Sequence, residues 1–235
     1  MSDKIVQNLV DFFLEFKQKE HFLEDDWFYT FSGKWPNCNI PKTVTNPKIN
    51  IDFNATYYVK NWILTDNFFR VNKEKIQKAK FFPVNKWTNM FLERKESFAL
   101  KTIPNFKTEI LHPNEIDEFL SVCNASFKKE LLTSKQLKTA LSKNNITCFV
   151  AKFKSQIVST AIFFDNQDSI GLYFIATKEA FQKNGFASET VKNGINYYLQ
   201  KGKKDFVLHA TNSGKKMYEN LGFKAENKML IFVKI

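Results

Sequence analysis

One stretch, Ser169 to Tyr198, restricts this chain more than any other: SIGLYFIATKEAFQKNGFASETVKNGINYY reads as a strand, a tight polar turn and a helix in direct succession. Ile170, Leu172, Phe174 and Ile175, with Tyr173 between them, form an apolar run of strand length, as expected for a central strand covered on both faces. After it, Ala187, Val191, Ile195 and Tyr198 recur at helical spacing. The turn between them therefore sits at a helix N-terminus, where backbone N–H groups lack intrahelical acceptors and the dipole presents its positive end. Such a turn suits a phosphate. Gly185 lets backbone approach a ligand with no Cβ in the way, Ala187 is the next smallest residue, and Lys183 offers a positive charge.

A second pattern follows downstream. DFVLHA, Asp205 to Ala210, reads as a strand; Asn212 and Ser213 are candidate caps; Tyr218 lies on a short helix closed by Leu221, Gly222 and Phe223. Gly222 is placed to end that helix with a positive φ. By pattern alone, Tyr218 and Met217 also fit as core residues of an amphipathic helix.

Together these two patterns resemble the GNAT (Gcn5-related N-acetyltransferase) superfamily. Its acyl-CoA motif, R/Q-x-x-G-x-G/A after the fourth strand, stands here as Gln182-Lys183-Asn184-Gly185-Phe186-Ala187, and its later tyrosine before Leu-Gly-Phe is matched by Tyr218. The resemblance implies that Gln182, Lys183, Asn184, Gly185, Phe186 and Ala187 hold the pyrophosphate of acetyl-CoA. It further implies that backbone amides at Ile175, Ala176 and Thr177 hold the pantetheine and acetyl carbonyl. Asn212 matches a polar position that contacts the cofactor arm, with helix capping an equal explanation, and Tyr218 matches the residue that protonates the leaving thiolate. The reaction implied is direct transfer of an acetyl group to a primary amine in a ternary complex. The acceptor is a small molecule or a protein amine. Two departures qualify the match. The loop Thr177 to Phe181 lacks the family's usual proline, and Ser169 to Thr177 holds no carboxylate or histidine to serve as the usual base on the central strand. His209, on the next strand, has an ordinary pKa near ~6.5 that suits proton transfer, but a water chain or a group from the N-terminal half is an equal alternative, and no general base is assigned.

The surrounding elements come in a compatible order. FKTEIL (106–111) is a strand. Ile116, Phe119, Leu120, Cys123 and Phe127 mark a helix face with Asn114 as its cap, and Leu137, Ala140 and Leu141 mark a second helix. TCFVAKF and IVSTAIFF are strands joined at Lys154-Ser155-Gln156, and MLIFVKI is a last strand. We expect an α/β (α+β) fold: a central mixed, mostly antiparallel sheet flanked by helices, with an additional N-terminal α/β domain. The proposed boundary lies at the ALKTIPN segment, giving domains at 1–105 and 106–235.

The first half is less legible. Ile5, Leu9, Phe12, Phe13 and Phe16 predict an amphipathic helix capped by Ser2. Glycine, prolines and asparagines from Trp27 to Ile51 predict mostly loop after a short WFYTF strand. IDFNATYYV and KWTNMFLE predict strands, and 67–82 a helix. The order loosely resembles a degenerate acetyltransferase half that shapes the acceptor site, with a lid or substrate-binding domain of other ancestry as the alternative.

Charge and cysteine content narrow the partners. Net charge is +11 over 235 residues, with 16 Lys+Arg against 12 Asp+Glu in residues 1–105 and 19 against 12 in 106–235. Because lysines alternate with acids, the excess reads as solvated helix faces that also favour a polyanionic cofactor, and no nucleic-acid partner is expected. Charges interrupt the first helix and no window of ~20 apolar residues occurs, so neither a signal peptide nor a membrane span is expected. Cys38, Cys123 and Cys148 are odd in number and far apart, which predicts reduced thiols in a cytoplasmic protein, monomeric or homodimeric, without a metal site. The alternative function is a CoA-binding regulatory protein whose catalysis has decayed.

Overall fold

The structure is a computed structural model of the chain, and it describes residues 2–17, 21–24, 28–42, 59, 61–128 and 131–234. Its contacts divide the chain into two compact units, Met1–Phe91 with His209–Ile235, and Leu92–Leu208.

The first unit opens with α1 (Ser2–Glu15), whose Ile5, Leu9, Phe12 and Phe13 are buried, as the spacing predicts. Strands β1 (Phe22–Glu24), β2 (Phe28–Ser32), β3 (Asn37–Pro41) and β4 (Asn61–Thr65) follow, then α2 (Asp66–Lys78) and β5 (Phe81–Glu93). Thr65 caps α2 by accepting the Phe68 N–H. A short helix, α6 (Lys215–Asn220), and the last strand, β11 (Lys224–Lys234), return to this unit from the far end of the chain. Within the unit the strands run in the order β1-β2-β3-β4-β11-β5, antiparallel except for β3 beside β4. Phe28, Trp62, Leu64, Phe68, Phe81 and Phe232 build its core; the Phe28 and Trp62 rings meet edge to face with centroids 5.0 Å apart.

Expectation and structure part in three places here. Asn37–Pro41, expected as loop, is a strand because it pairs with β2 along its whole length, and asparagine amides tie its other edge: Asn39 Nδ2 donates to the Val59 and Asn61 carbonyls, and Asn61 Nδ2 to the Asn37 carbonyl. Turn residues in sequence thus become ladder residues once a partner strand arrives. Asn61–Thr65 was not anticipated, and the helix expected to 82 stops at Lys78, so that Phe81 begins a strand. The expected strand at 51–59 and the Ser2 cap lie outside the described residues and side chains.

The second unit follows the expected order closely. It comprises β6 (Phe106–Ile110), α3 (Ile116–Phe127), α4 (Ser134–Leu141), β7 (Ile146–Phe153), β8 (Gln156–Asp165), β9 (Ile170–Thr177), α5 (Phe186–Gln200) and the body of β10 (Asp205–Ala210). Strands lie in the order β10-β9-β8-β7-β6, all antiparallel except β9 with β10. One cap differs from expectation: His112 rather than Asn114 begins the turn before α3, its Nδ1 accepting the Asn114 N–H while Glu115 reaches back to the His112 N–H.

The ALKTIPN segment, expected as a boundary, is tied to α5 inside this unit. Asn196 exchanges two hydrogen bonds with the Phe98 backbone, and Glu189, 3% exposed, accepts the Lys101 N–H at 2.9 Å while pairing with Lys192. The contact division also differs from 1–105 and 106–235 at the other end, since β11 pairs with β4 and β5.

Candidate functional site

Among the described residues, β9 carries one of the two irregularities in the second unit's sheet, the other lying where β7 meets β8 at Ala151 and Lys152. Its ladder with β10 is short: Phe206, Val207 and Leu208 face Ile170, Gly171 and Leu172. Within the unit, the strand beyond Leu172 continues against β8 with an extra residue. Ile162 faces Tyr173 and Thr160 faces Ala176, so two residues, Phe174 and Ile175, oppose the single Ala161. This is a β-bulge. Phe174 takes φ 50°, a left-handed conformation that a bulky residue adopts only where its surroundings impose it. Two wholly buried hydroxyls hold it there: Thr160 Oγ1 donates to the Phe174 carbonyl at 3.2 Å, and Ser159 Oγ to the Ala176 carbonyl at 2.8 Å. Ile175 and Thr177 are half-buried and Ala176 is buried.

Beyond β9, a short 3₁₀ turn, Glu179–Phe181, takes the place of the missing proline in ordering the loop. Gln182 donates to the Thr177 carbonyl at 3.2 Å and Asn184 to the Gln182 carbonyl at 3.1 Å, so both side chains shape the turn itself. Lys183 and Gly185 take φ 63° and 83°. Gly185 is the N-cap of α5 and no side chain caps the helix; a Cβ built on Gly185 would meet nothing within 4 Å. No side-chain cap therefore answers the first-turn N–H groups, and the space beside Gly185 is open. That is the geometry an anion needs. Phe186 differs from its neighbours: 5% exposed, it stacks on Phe106 with centroids 4.8 Å apart and anchors the helix start in a cluster with Ala151, Val158 and Phe153. Only its backbone can serve a ligand. Lys183 is exposed and Ala187 half-buried.

Tyr218 and Asn212 belong to the first unit. Tyr218 is 7% exposed and its ring meets Phe223 edge to face at 5.8 Å. The pair arises from the helix end: the Phe223 N–H bonds the Tyr218 carbonyl and the Gly222 N–H bonds the Glu219 carbonyl, with Gly222 at φ 92°. This is a Schellman closure, in which the residue after the glycine packs on the one five positions earlier. Burial pushes the Tyr218 hydroxyl above its ordinary pKa and so keeps it protonated. The expected capping role of Asn212 and Ser213 is corrected: Asn212 is exposed, and Thr211 Oγ1 accepts the Gly214 N–H at 3.3 Å.

His209 sits in the first unit with its Nδ1 2.7 Å from Asn89 Oδ1; Asn89 in turn donates to Asn227 at 2.6 Å. Since Asn89 Oδ1 only accepts, Nδ1 carries the ring proton. Burial lowers the His209 pKa to about 3, a backbone hydrogen bond with Ile5 working weakly the other way. At neutral pH the ring is uncharged and a much weaker base than a free imidazole. Cys38, Cys123 and Cys148 are buried free thiols, and burial pushes Cys123 up to about 12, which leaves none of them a ready nucleophile.

Sequence reasoning missed Ser159 and Thr160. The one signal was a polar pair in the middle of the otherwise apolar IVSTAIFF.

A family model for the acetyltransferase (GNAT) domain matches residues 109–232. No curated protein matches this sequence. Among solved structures, a GCN5-related N-acetyltransferase from Kribbella flavida superposes with TM-score 0.73 at 7% identity, covering 100% of this chain and 95% of that one. A second, from Sphaerobacter thermophilus, gives 0.63 at 12% identity over 74% of this chain and 59% of its own. A GNAT-family chain from Novosphingobium aromaticivorans gives 0.60 at 10% identity and 93% of each. At these identities the likeness is one of fold. Among the described residues, no helix is long and apolar enough to cross a membrane.

Proposed function

This chain belongs to the GNAT acetyltransferase family, and from that premise we propose that it transfers an acetyl group from acetyl-CoA to a primary amine within a ternary complex. The observation that supports this reading most is the combination, in one unit, of the bulged β9 and the uncapped helix start at Gly185. A strand with a short ladder offers backbone groups to the pantetheine arm, and the open helix end offers donors and dipole to the pyrophosphate.

Each residue group then has a task. Gln182, Lys183, Asn184, Gly185, Phe186 and Ala187 hold the pyrophosphate, the first three by shaping the turn and by charge, the last three through backbone N–H groups. Ile175, Ala176 and Thr177 orient the thioester that acetyl-CoA supplies. A backbone N–H at the bulge meets the charge that develops on the carbonyl oxygen, an interaction that contributes about 3 kcal/mol to barrier lowering in acyl-transfer sites. Tyr218, held protonated by burial, gives the departing thiolate its proton. Asn212 contacts the cofactor arm. We assign residues 1–105 the selection of the acceptor, a small or protein amine, and place the protein in the cytoplasm, where its buried thiols stay reduced.

A second reading has a specific observation in its favour. β9 bears no carboxylate or histidine, and His209 is held far below the range of an effective base. A CoA-responsive regulatory protein without turnover would need no such base.

Calorimetric titration with acetyl-CoA and with CoA, alongside a Gly185→Asp variant, tests the proposal. Micromolar binding that the variant loses supports it, and an amine panel then separates enzyme from regulator. A folded protein that binds neither ligand overturns both readings.

A further inference from the structure

The bulge in β9 is held by side chains of a neighbouring strand in a way the family motifs do not include. Ser159 and Thr160 are adjacent on β8, both 0% exposed, and point to opposite faces of the sheet as successive strand residues do. Each ends a short chain of hydroxyl or thiol donors. Thr160 Oγ1 has one proton, which goes to the Phe174 carbonyl, so the 3.3 Å contact with Cys123 is made by the thiol donating to Thr160. Ser159 Oγ likewise gives its proton to the Ala176 carbonyl, so the 2.8 Å contact with Thr177 is made by the Thr177 hydroxyl donating to Ser159. The carbonyl of Thr177 is taken in turn by Ser126 Oγ at 3.3 Å and Gln182 Nε2 at 3.2 Å.

Side-chain donors therefore cover the carbonyls of Phe174, Ala176 and Thr177, all in the half of β9 that runs beyond its ladder with β10. A left-handed phenylalanine costs about 1–2 kcal/mol and persists only when its surroundings over-determine it. The Thr160 hydroxyl is one group that does so, bonding the Phe174 carbonyl directly. One lone pair of each of these carbonyls is thereby taken by the protein, which weights the segment toward N–H donors in its dealings with a ligand; donors are what an acyl carbonyl and its developing negative charge require.

We propose that Ser159 and Thr160 are positioning residues for acyl transfer: their hydroxyls fix the peptide groups of Phe174 to Ala176 so that this stretch of β9 offers N–H donors to the acyl carbonyl of the bound thioester. The inference rests on the acetyltransferase reading above. It separates the acyl carbonyl, served by the bulge, from the pyrophosphate, served by the Gly185 turn.

Thr160→Val keeps the shape and removes the hydrogen bond; Thr160→Ser restores it. In Thr160→Val, amide hydrogen exchange at residues 173–177 rises about tenfold, as loss of one buried hydrogen bond implies, while exchange in β7 is unchanged. The affinity for acetyl-CoA falls about tenfold while that for CoA, which lacks the acyl carbonyl, changes less than about threefold. Thr160→Ser returns both measures toward wild type. Ser159→Ala, which adds no methyl group, is read the same way and decides the matter if Thr160→Val does not fold. Exchange at 173–177 that stays at the wild-type rate, a serine variant no better than valine, or an unchanged preference for acetyl-CoA over CoA overturns this inference alone. A wild-type protein that binds neither ligand overturns the acetyltransferase reading and this inference with it.

Discussion

Gly185 and Gly222 stand at helix ends with nearly the same left-handed backbone, φ 83° and 92°, yet the regions around them are built for opposite ends. At Gly185 the helix begins without a side-chain cap, and the space over the glycine is open. At Gly222 the helix ends with its carbonyls satisfied by two backbone bonds, and Phe223 packs on Tyr218 over the closure. Polar groups nearby differ as well: around β9 the Ser159 and Thr160 hydroxyls donate to backbone carbonyls, whereas around β10 the His209, Asn89 and Asn227 side chains bond one another. The same residue at nearly the same φ thus stands at an uncapped helix start in one region and at a closed helix end in the other. What differs is whether the protein itself answers the exposed backbone groups.

The largest expected effect would break the comparison at its open end. Gly185→Asp places a carboxylate at the proposed anion site and should weaken acetyl-CoA at least about a hundredfold by calorimetry, some 2.7 kcal/mol, while the left-handed backbone costs about 1 kcal/mol of stability, as at Gly222. Equal loss of stability and affinity would make Gly185 scaffold like its counterpart.

At the closed end, Gly222→Ala should lower the unfolding free energy by about 1–2 kcal/mol in urea titrations, because alanine pays for the left-handed turn. Acetyl-CoA affinity should stay within about twofold. A larger drop in affinity than in stability would give Gly222 a share in binding.

Tyr218→Phe sharpens the contrast within the closed region, since it removes only a hydroxyl. Turnover should fall about tenfold with acetyl-CoA affinity nearly unchanged, a change in an interaction made in the transition state. An unaltered kcat would return Tyr218 to a packing role beside Phe223.

The smallest effect concerns His209. Its pKa is about 3 when folded and about 6.5 when unfolded, so below pH 6.5 the unfolded chain takes up a proton that the native state refuses. Stability is therefore complete above pH 6.5 and declines as pH falls from there toward 3. Over the first pH unit below 6.5 the decline should be less than about 1.4 kcal/mol, read from urea midpoints, and His209→Asn should flatten it. An unchanged slope in that variant would assign the acid sensitivity to other groups.

Much of this was legible in the chain. The apolar run at Ile170–Ile175, the glycine after it and the helical spacing from Ala187 to Tyr198 are local features, and strand, turn and helix each follow from short-range sterics and burial. The Leu-Gly-Phe ending of α6 is local as well, because its hydrogen bonds span only a few residues. The elements of residues 106–234 fell in the expected order for the same reason.

Less was legible where partners lie far apart in sequence. Asn37–Pro41 reads as loop because asparagine and proline favour turns; pairing with β2 makes it a strand, and its Asn39 amide finds acceptors only at Val59 and Asn61, about twenty residues later. The sorting of residues 92–105 with α5 depends on Asn196 and Glu189, about ninety positions away.

By itself, the sequence determined the order and kind of the elements in the acetyltransferase half and the glycine-led turn that opens α5, since those rest on periodicity, glycine placement and capping within a few residues. Only the tertiary structure decided the bulge at Phe174, the buried hydroxyls that hold it, the pairing of β11 with β4 and β5, and the low pKa of His209. Each of these depends on which distant groups share a buried space, and burial is a property of the folded chain that no short stretch of residues carries.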